Sequence, residues 1–427
     1  MEIKTQSYSN FECATVEKDT PVVSVLVTVD CHDNNSARGV ITASVYSDLL
    51  LSGAGKYSRE DFLRAVDELG SGIEVGASEG RVTISVKSLE QNLTKTLSLL
   101  ETVLIKPTFS KSEYDRAVKT AKNSLSLYKE EARLLAQDGL RRSFYGENDR
   151  HYRFTPKDLE KAFSEVSLAD VKKLHEEFMT LPWVVSIGGK STAIKTVLKL
   201  VQKIKKKTDY KPLEGAVSVK SLKGSRLVTE VVASKQNIEL SIGGHLPLTM
   251  SDAELAPFTF GLAVLGKWGS FAGRLMSTVR EKEGLTYSIY GRVEGVSKIE
   301  TGYWRIMTFF APKDVVQGVS STLREIKNIH YKGITDSEWK RFKDILRTGE
   351  TLVQDSLFGT VGYVHSALVA GVRYEDYKKY REQLYTCTKA EVNKVLKKYL
   401  NPANVVISAA GPVDKKIEKE LKAVLGK

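Results

Sequence analysis

Two α+β halves of one design, each a mostly antiparallel sheet covered by helices, are the fold this sequence predicts. Three observations carry the expectation. The chain has 427 residues, more than one compact core of ordinary size holds. Short Val-rich segments of strand character are mixed in each half with longer segments of helical character, the pattern of helices laid on a sheet. The order of these segments also repeats once, before residue 207 and again after residue 224, the mark of an internal repeat.

The repeat runs element by element. Pro21–Val29 is Val-rich and too short for a helix, so it reads as a buried strand, and Gln236–Gly243 is its counterpart. Helical segments follow, Val40–Leu51 and Ala253–Leu265, each ending in a glycine-rich loop, Ser52-Gly-Ala-Gly55 and Gly266-Lys-Trp-Gly-Ser-Phe-Ala-Gly273. A second helix comes next in each half and stops at Gly70 or Gly284, since glycine suits the left-handed position that ends a helix. Strands are expected after these stops, over Ile73–Val86 and from Leu285 onward. Ser112-Glu-Tyr-Asp-Arg116 and Ser337-Glu-Trp-Lys-Arg341 both open a long helix. Ser167 and Thr388 read as N-caps, with Asp170 and Glu391 three residues on completing capping boxes. Each half then passes a proline, Pro182 or Pro402, into a last strand, Val184–Ile187 or Val405–Ser408. The organisation read from this is an N-terminal half over 1–207, a linker over 208–223 containing Pro212 and Gly215, and a C-terminal half over 224–427.

Composition excludes several classes. Hydrophobic residues are 41% and charged residues 27%, a globular profile. No apolar run approaches the ~20 residues a membrane helix needs, and the Met-Glu-Ile-Lys start has neither the basic nor the apolar region of a secretory signal; no membrane insertion and a cytoplasmic, bacterial setting are the expectation. Cys13, Cys31 and Cys387 are too few and too scattered for a disulfide framework or a metal knuckle. The net charge of +12 comes from Lys and Arg interleaved with acids along the chain, which argues for a solvated surface rather than a nucleic-acid site; attraction of an acidic peptide is the alternative. The densest run, Lys203 to Lys207, falls at an expected helix end, where cations are favoured. Gly188-Gly-Lys-Ser-Thr192 lacks the earlier glycine of a phosphate loop and follows the last strand of a half. His32, beside Asp33 and Asn34, reads as a loop residue.

The second half carries a more specific string. Arg280-Glu-Lys-Glu-Gly-Leu-Thr-Tyr287, preceded by Gly269-Ser-Phe-Ala-Gly-Arg-Leu275, resembles the Arg-x-x-x-Gly-Leu-x-Tyr motif of the pitrilysin-type (inverzincin) zinc peptidases. That family includes the mitochondrial processing peptidase and the core proteins of the bc1 complex, and the resemblance covers nearly the whole chain. It implies a clam-shaped molecule. It also implies a zinc site in the first half, held by the histidines of His-x-x-Glu-His and a later glutamate, with the inner Glu as general base. Anchored on the glycine-rich loop at Gly53, the matching window is Ser44-Val-Tyr-Ser-Asp48: Ser44 and Asp48 stand at the histidine positions and Ser47 at the glutamate. The later glutamate falls near Ser124–Ser126, where no carboxylate stands. The six histidines are His32, His151, His175, His245, His330 and His365, so no register supplies the pair. No metal and no cofactor are therefore expected in this chain.

What the resemblance leaves is the Arg/Tyr pair. Without it, Arg280 reads as a helix-end cation and Tyr287 as a half-buried strand residue. With it, a reversal at Gly284 brings both to one sheet edge, where a guanidinium and a phenol can hydrogen-bond charge that develops in a transition state. The family's pair works with a zinc held by a different half-unit. The implied partner is thus a homologous chain bearing His-x-x-Glu-His and the zinc, in a heterodimer that cleaves peptides or unfolded segments. Such substrates would add a strand to an exposed sheet edge such as Gly72–Val86. The glycine-rich loop, with Gly269 and Ser270, is an implied substrate contact, as in the processing peptidase's non-catalytic subunit. A scaffold like the bc1 core proteins, or a homodimeric peptide-binding chamber without hydrolysis, remain the alternatives.

Overall fold

The computed structural model describes residues 1–31, 36–205 and 224–426. The expected linker over 208–223, and His32, Asp33 and Asn34, lie outside the described residues. The chain divides into two compact units, and each contains one large sheet. The first unit combines Met1–Leu125, the described part of Phe154–Glu214, and Thr351–Tyr374. The second combines Ser126–Arg153 with the described parts of Gly215–Glu350 and Glu375–Lys427.

In the first unit six strands lie in the order Glu2–Ser7, Phe11–Glu17, Trp183–Gly189, Val22–Asp30, Arg81–Leu89, Gly72–Ser78. In the second, five lie in the order Arg226–Val231, Val406–Gly411, Ile238–Leu246, Gly302–Phe310, Ile289–Glu294. Leaving aside the added Glu2–Ser7 edge, the two orders correspond strand for strand. One pair in each is parallel, Phe11–Glu17 with Trp183–Gly189 and Arg226–Val231 with Val406–Gly411, and the rest are antiparallel. The single strand expected over Ile73–Val86 is a hairpin, because Glu79 and Gly80 take φ of 56° and 71° and reverse the chain.

Alternation along Val22–Asp30 decides what covers each face. Val23, Val25 and Val27 point into an apolar core with Leu97, Leu100 and Val197. The opposite face carries Thr28, with Thr83 and Ser186 on the flanking strands. The helix covering it is Leu357–Val369, from late in the sequence. The second unit does the converse, taking Ala132–Phe144 onto Ile238–Leu246, Val406–Gly411 and Arg226–Val231. The compact units therefore differ from the halves 1–207 and 224–427 by an exchange of helices, and each sheet is covered on both faces. Small residues make the close approach possible. A Cβ at Gly188 would meet Val361 Cγ2 at 2.4 Å, and one at Gly139 would meet Ser408 Oγ at 2.4 Å. Gly188 of the phosphate-loop-like string thus has a packing role under a helix.

The local signals hold at the helix ends. Ser167 with Asp170 and Thr388 with Glu391 form reciprocal capping boxes, and Gly70 and Gly284 take φ of 56° and 65° after their helices. The three cysteines are buried and unbridged, and burial pushes each thiol up to about 12. The Lys203–Lys207 run is not uniformly solvated. Lys205 is only 3% exposed, donates to the carbonyls of Met179, at 2.8 Å, and Leu181, and lies 5.1 Å over the Trp183 ring. It closes the end of the Leu168–Thr180 helix, and burial lowers its ammonium to about 8. No helix among the described residues is long and apolar enough to cross a membrane.

Candidate functional site

The window Ser44–Asp48 sits on helix Ala37–Leu49, which starts at Ser36, whose side chain accepts from the Gly39 N–H. One helical turn separates Ser44 from Asp48 and puts them on one face. Ser47 Oγ donates back to the Ser44 carbonyl at 2.9 Å. Arg116, on helix Lys111–Lys129, reaches over to Asp48: Nη1 stands 3.0 Å from the carboxylate, Nε is 2.7 Å from Glu113, and Nη2 donates to Ser52 Oγ at 2.7 Å. Ser52 Oγ in turn donates to the Asp48 carbonyl at 2.8 Å.

Tyr46, between the window's polar residues, is fully buried, and its hydroxyl lies 3.0 Å from His175 Nδ1. The other ring nitrogen of His175 is 3.0 Å from the Leu104 carbonyl. A carbonyl only accepts, so Nε2 carries the proton and Nδ1 accepts from Tyr46. Burial lowers the pKa of this imidazole and keeps it neutral. Ser124 and Ser126 are exposed on the Lys111–Lys129 helix. The donor set does not fit zinc. It offers no imidazole at the window, and its one carboxylate already balances a guanidinium, whereas a catalytic zinc takes three His or carboxylate ligands and leaves a position for water. Among the described residues no three His, Cys, Asp or Glu side chains gather as a metal site.

In the second unit the buried apolar helix Leu255–Gly266 ends at the glycine-rich loop. A Cβ on Gly273 would lie 2.8 Å from the Gly266 Cα, so the two ends of the loop touch and glycine is required there. Gly269 is exposed, at φ 70°. Ser270 turns inward on its own loop, its N–H donating to Lys267 O at 3.2 Å and its Oγ accepting from Ala272 N at 3.3 Å. The loop is pinned from behind. Arg274 forks onto Glu338 at 2.6 and 2.7 Å and reaches Gly333 O at 2.8 Å, and Arg341 donates to Ala272 O at 2.7 Å.

Met276–Lys282 is wound as a π-helix rather than the ordinary helix the sequence suggests; such turns concentrate at functional sites. Arg280 lies in it, and Tyr287 lies two residues before the strand Ile289–Glu294. The structure brings the pair together, with the guanidinium carbon 4.7 Å from the centre of the Tyr287 ring and 4.6 Å from that of Phe271. Tyr287 is 72% exposed, not half-buried, because it precedes the strand and escapes its pairing. Among the described residues Arg280 has no ion-pair or side-chain hydrogen-bond partner, and the Tyr287 hydroxyl has none either. The remaining predicted positions divide accordingly: Ser44, Ser47 and Asp48 belong to the first unit, and Gly269, Ser270, Arg280 and Tyr287 to the second. Phe271 and Arg116 escaped the sequence reading. Their signals were present, an aromatic residue inside a glycine-rich loop and an arginine in a repeated Ser-Glu-x-x-Arg string.

Comparison with known proteins places both parts of the chain in one family. Residues 13–156 match the insulinase family (peptidase family M16), and residues 165–346 match the peptidase M16 inactive domain. The chain belongs to peptidase family M16, and with no ligand set in its first half it is a non-catalytic member. It is 21% identical over 360 residues to the non-peptidase homolog YmxG of Helicobacter pylori, covering 83% of this chain and 81% of that protein. Its fold is similar to that of a peptidase M16 inactive domain from Pseudomonas fluorescens (TM-score 0.81, 19% identity, 97% and 99% of the two chains). A protease from Helicobacter pylori is similar too (TM-score 0.78, 15% identity, 96% and 99%).

Proposed function

We propose that this chain is the non-catalytic subunit of a heterodimeric zinc metallopeptidase, and that Arg280 and Tyr287 bind substrate and stabilise the transition state at the zinc site of a homologous partner carrying His-x-x-Glu-His. The observation that carries the reading is the Arg280–Tyr287 pair itself: two donors held together at the surface, with no internal acceptor for either among the described residues. A scaffold gains nothing from leaving such groups unpaired. Here they are available to an oxygen outside the chain, such as a scissile carbonyl whose negative charge grows during attack. Substrates are peptides or unfolded segments, and Gly72–Ser78, the last strand of the first-unit sheet, offers an edge to which an extended segment can add.

The test is reconstitution. This chain and a homologous chain bearing His-x-x-Glu-His are purified separately and assayed alone and mixed, with zinc and with a chelator, on a library of internally quenched peptides. Activity is expected only from the mixture and only with zinc. Stoichiometric zinc and peptide cleavage in this chain alone would refute the proposal.

A further inference from the structure

We infer that Phe271 of the glycine-rich loop is a positioning residue, holding the Arg280 guanidinium in the orientation it presents to substrate. The inference rests on the reading of Arg280 given above and extends it to a residue that the motif does not contain. An arginine side chain is long and flexible, and a donor acts in a transition state only if its direction is set beforehand. Hydrogen bonds usually set it. Arg280 has none from its side chain among the described residues, and two aromatic rings lie against its guanidinium, Phe271 at 4.6 Å and Tyr287 at 4.7 Å.

Phe271 belongs to the glycine-rich loop and Tyr287 follows Gly284, so the two rings reach the guanidinium from different segments of the chain. Attraction of a cation to a ring face restrains the guanidinium without using its N–H groups, which stay available to an acceptor outside the chain. Tyr287, at 72% exposed, belongs to the donor pair and sits on a bend, whereas Phe271 belongs to a braced loop. The brace consists of the Arg341 bond to Ala272 O, the Gly266–Gly273 contact, and Trp268, whose ring lies 5.3 Å from Tyr290 with Arg292 above it at 5.5 Å. This also accounts for a phenylalanine kept 60% exposed.

Two measurements on the full-length chain test the inference. In the first, 15N-arginine-labelled protein is examined by NMR, with the Nε–Hε resonance of Arg280 assigned by its loss in Arg280→Ala. Ring currents from Phe271 displace that resonance. Phe271→Leu is expected to return it towards the position of a solvent-exposed arginine, and Phe271→Tyr to retain the displacement. A resonance unmoved by Phe271→Leu overturns the inference without reference to catalysis. In the second, the same variants are assayed with the metal-bearing partner. Phe271→Leu is expected to lower kcat on the order of 10-fold with little change in KM, and Phe271→Tyr to restore it, as for loss of geometry at a transition-state donor. If Arg280→Ala lowers kcat and Phe271→Leu does not, the positioning role is wrong while the reading of Arg280 stands. If neither changes kcat, that reading fails and the inference falls with it.

Discussion

Helix Ala37–Leu49 and the segment from Lys267 to Tyr287 are the two places where this chain can be set against a family member's chemistry, and they treat their polar side chains in opposite ways. On the helix, Ser47 bonds the Ser44 carbonyl, and Asp48 is ion-paired with Arg116, which is itself tied to Glu113 and Ser52. On the second segment, the Arg280 guanidinium lies against the Phe271 and Tyr287 rings, and neither its N–H groups nor the exposed Tyr287 hydroxyl has a side-chain hydrogen-bond partner among the described residues. Losing a metal leaves carboxylates and hydroxyls that cost free energy until something satisfies them. In the first region a guanidinium supplies the positive charge that balances Asp48. The second leaves its donors unpaired among the described residues, and that difference is what supports the proposed role for Arg280 and Tyr287.

The largest expected effect tests the open region. In the reconstituted peptidase Arg280→Ala should lower kcat by ~10- to 1000-fold, the range for a lost transition-state donor and equivalent to about 1.4–4 kcal/mol. Tyr287→Phe should act in the same direction. Neither should shift the melting temperature appreciably, since neither side chain forms a hydrogen bond within the described residues. A large loss of stability in Arg280→Ala would erase the contrast between the regions.

Next in size is a pH effect confined to the first unit. His365, on the exchanged helix, is 7% exposed and lies 2.8 Å from Thr28 Oγ1 and 3.0 Å from Ser186 Oγ, with Thr83 bonded to Thr28 behind it. Burial lowers it from 6.5 to about 4. The folded chain therefore keeps it neutral where the unfolded chain protonates it. Stability should fall as pH drops from about 6.5 towards about 4, by at most about 3 kcal/mol, and flatten below. Chemical denaturation across that range checks this, and His365→Asn should remove this part of the slope.

Much of this was legible because the code for it is local. Capping boxes, helix-stopping glycines and Val-rich strands each depend on a few neighbouring residues, and the Ser-Glu-x-x-Arg repeat proved functional as structure: Arg116 reaches Ser52 and Arg341 reaches Ala272 O, each binding the glycine-rich loop of its own unit. The exchange of helices was not legible. Which helix covers a sheet's second face depends on partners far apart in the chain, Gly188 with Val361 and Gly139 with Ser408, and a glycine read singly does not show which distant element it lets approach. Lys205 was misread for the same reason, since the Trp183 ring and the carbonyls that receive it come from elsewhere in the chain. At the site, the motif located Arg280 and Tyr287 but could not foresee the π-turn or the Phe271 contact.

Arg116→Ala probes the first region itself. Arg116, Asp48 and Glu113 are partly buried, with side chains 27%, 31% and 28% exposed. Removing the guanidinium leaves two carboxylates without their shared cation, and a destabilisation of about 1–2 kcal/mol is expected. A double-mutant cycle with Asp48→Asn should recover part of it. Activity of the reconstituted peptidase should follow the folded fraction and nothing more.

The smallest effect is the sharpest test of the comparison, because it falls at the position that the motif resemblance aligns with a family peptidase's general base. Ser47 is half-buried, and its hydroxyl does no more than bond a carbonyl one turn back along its own helix, an interaction that adds little and slightly strains a helix. Alanine has the better helix propensity. Ser47→Ala should therefore change unfolding free energy by no more than about 0.5 kcal/mol, in either direction, and leave kcat of the mixture unchanged. Measured beside Arg280→Ala in the same assay, it sets a position with no proposed catalytic role against one with such a role. A loss of activity in Ser47→Ala approaching that of Arg280→Ala would mean that the first half still takes part in catalysis.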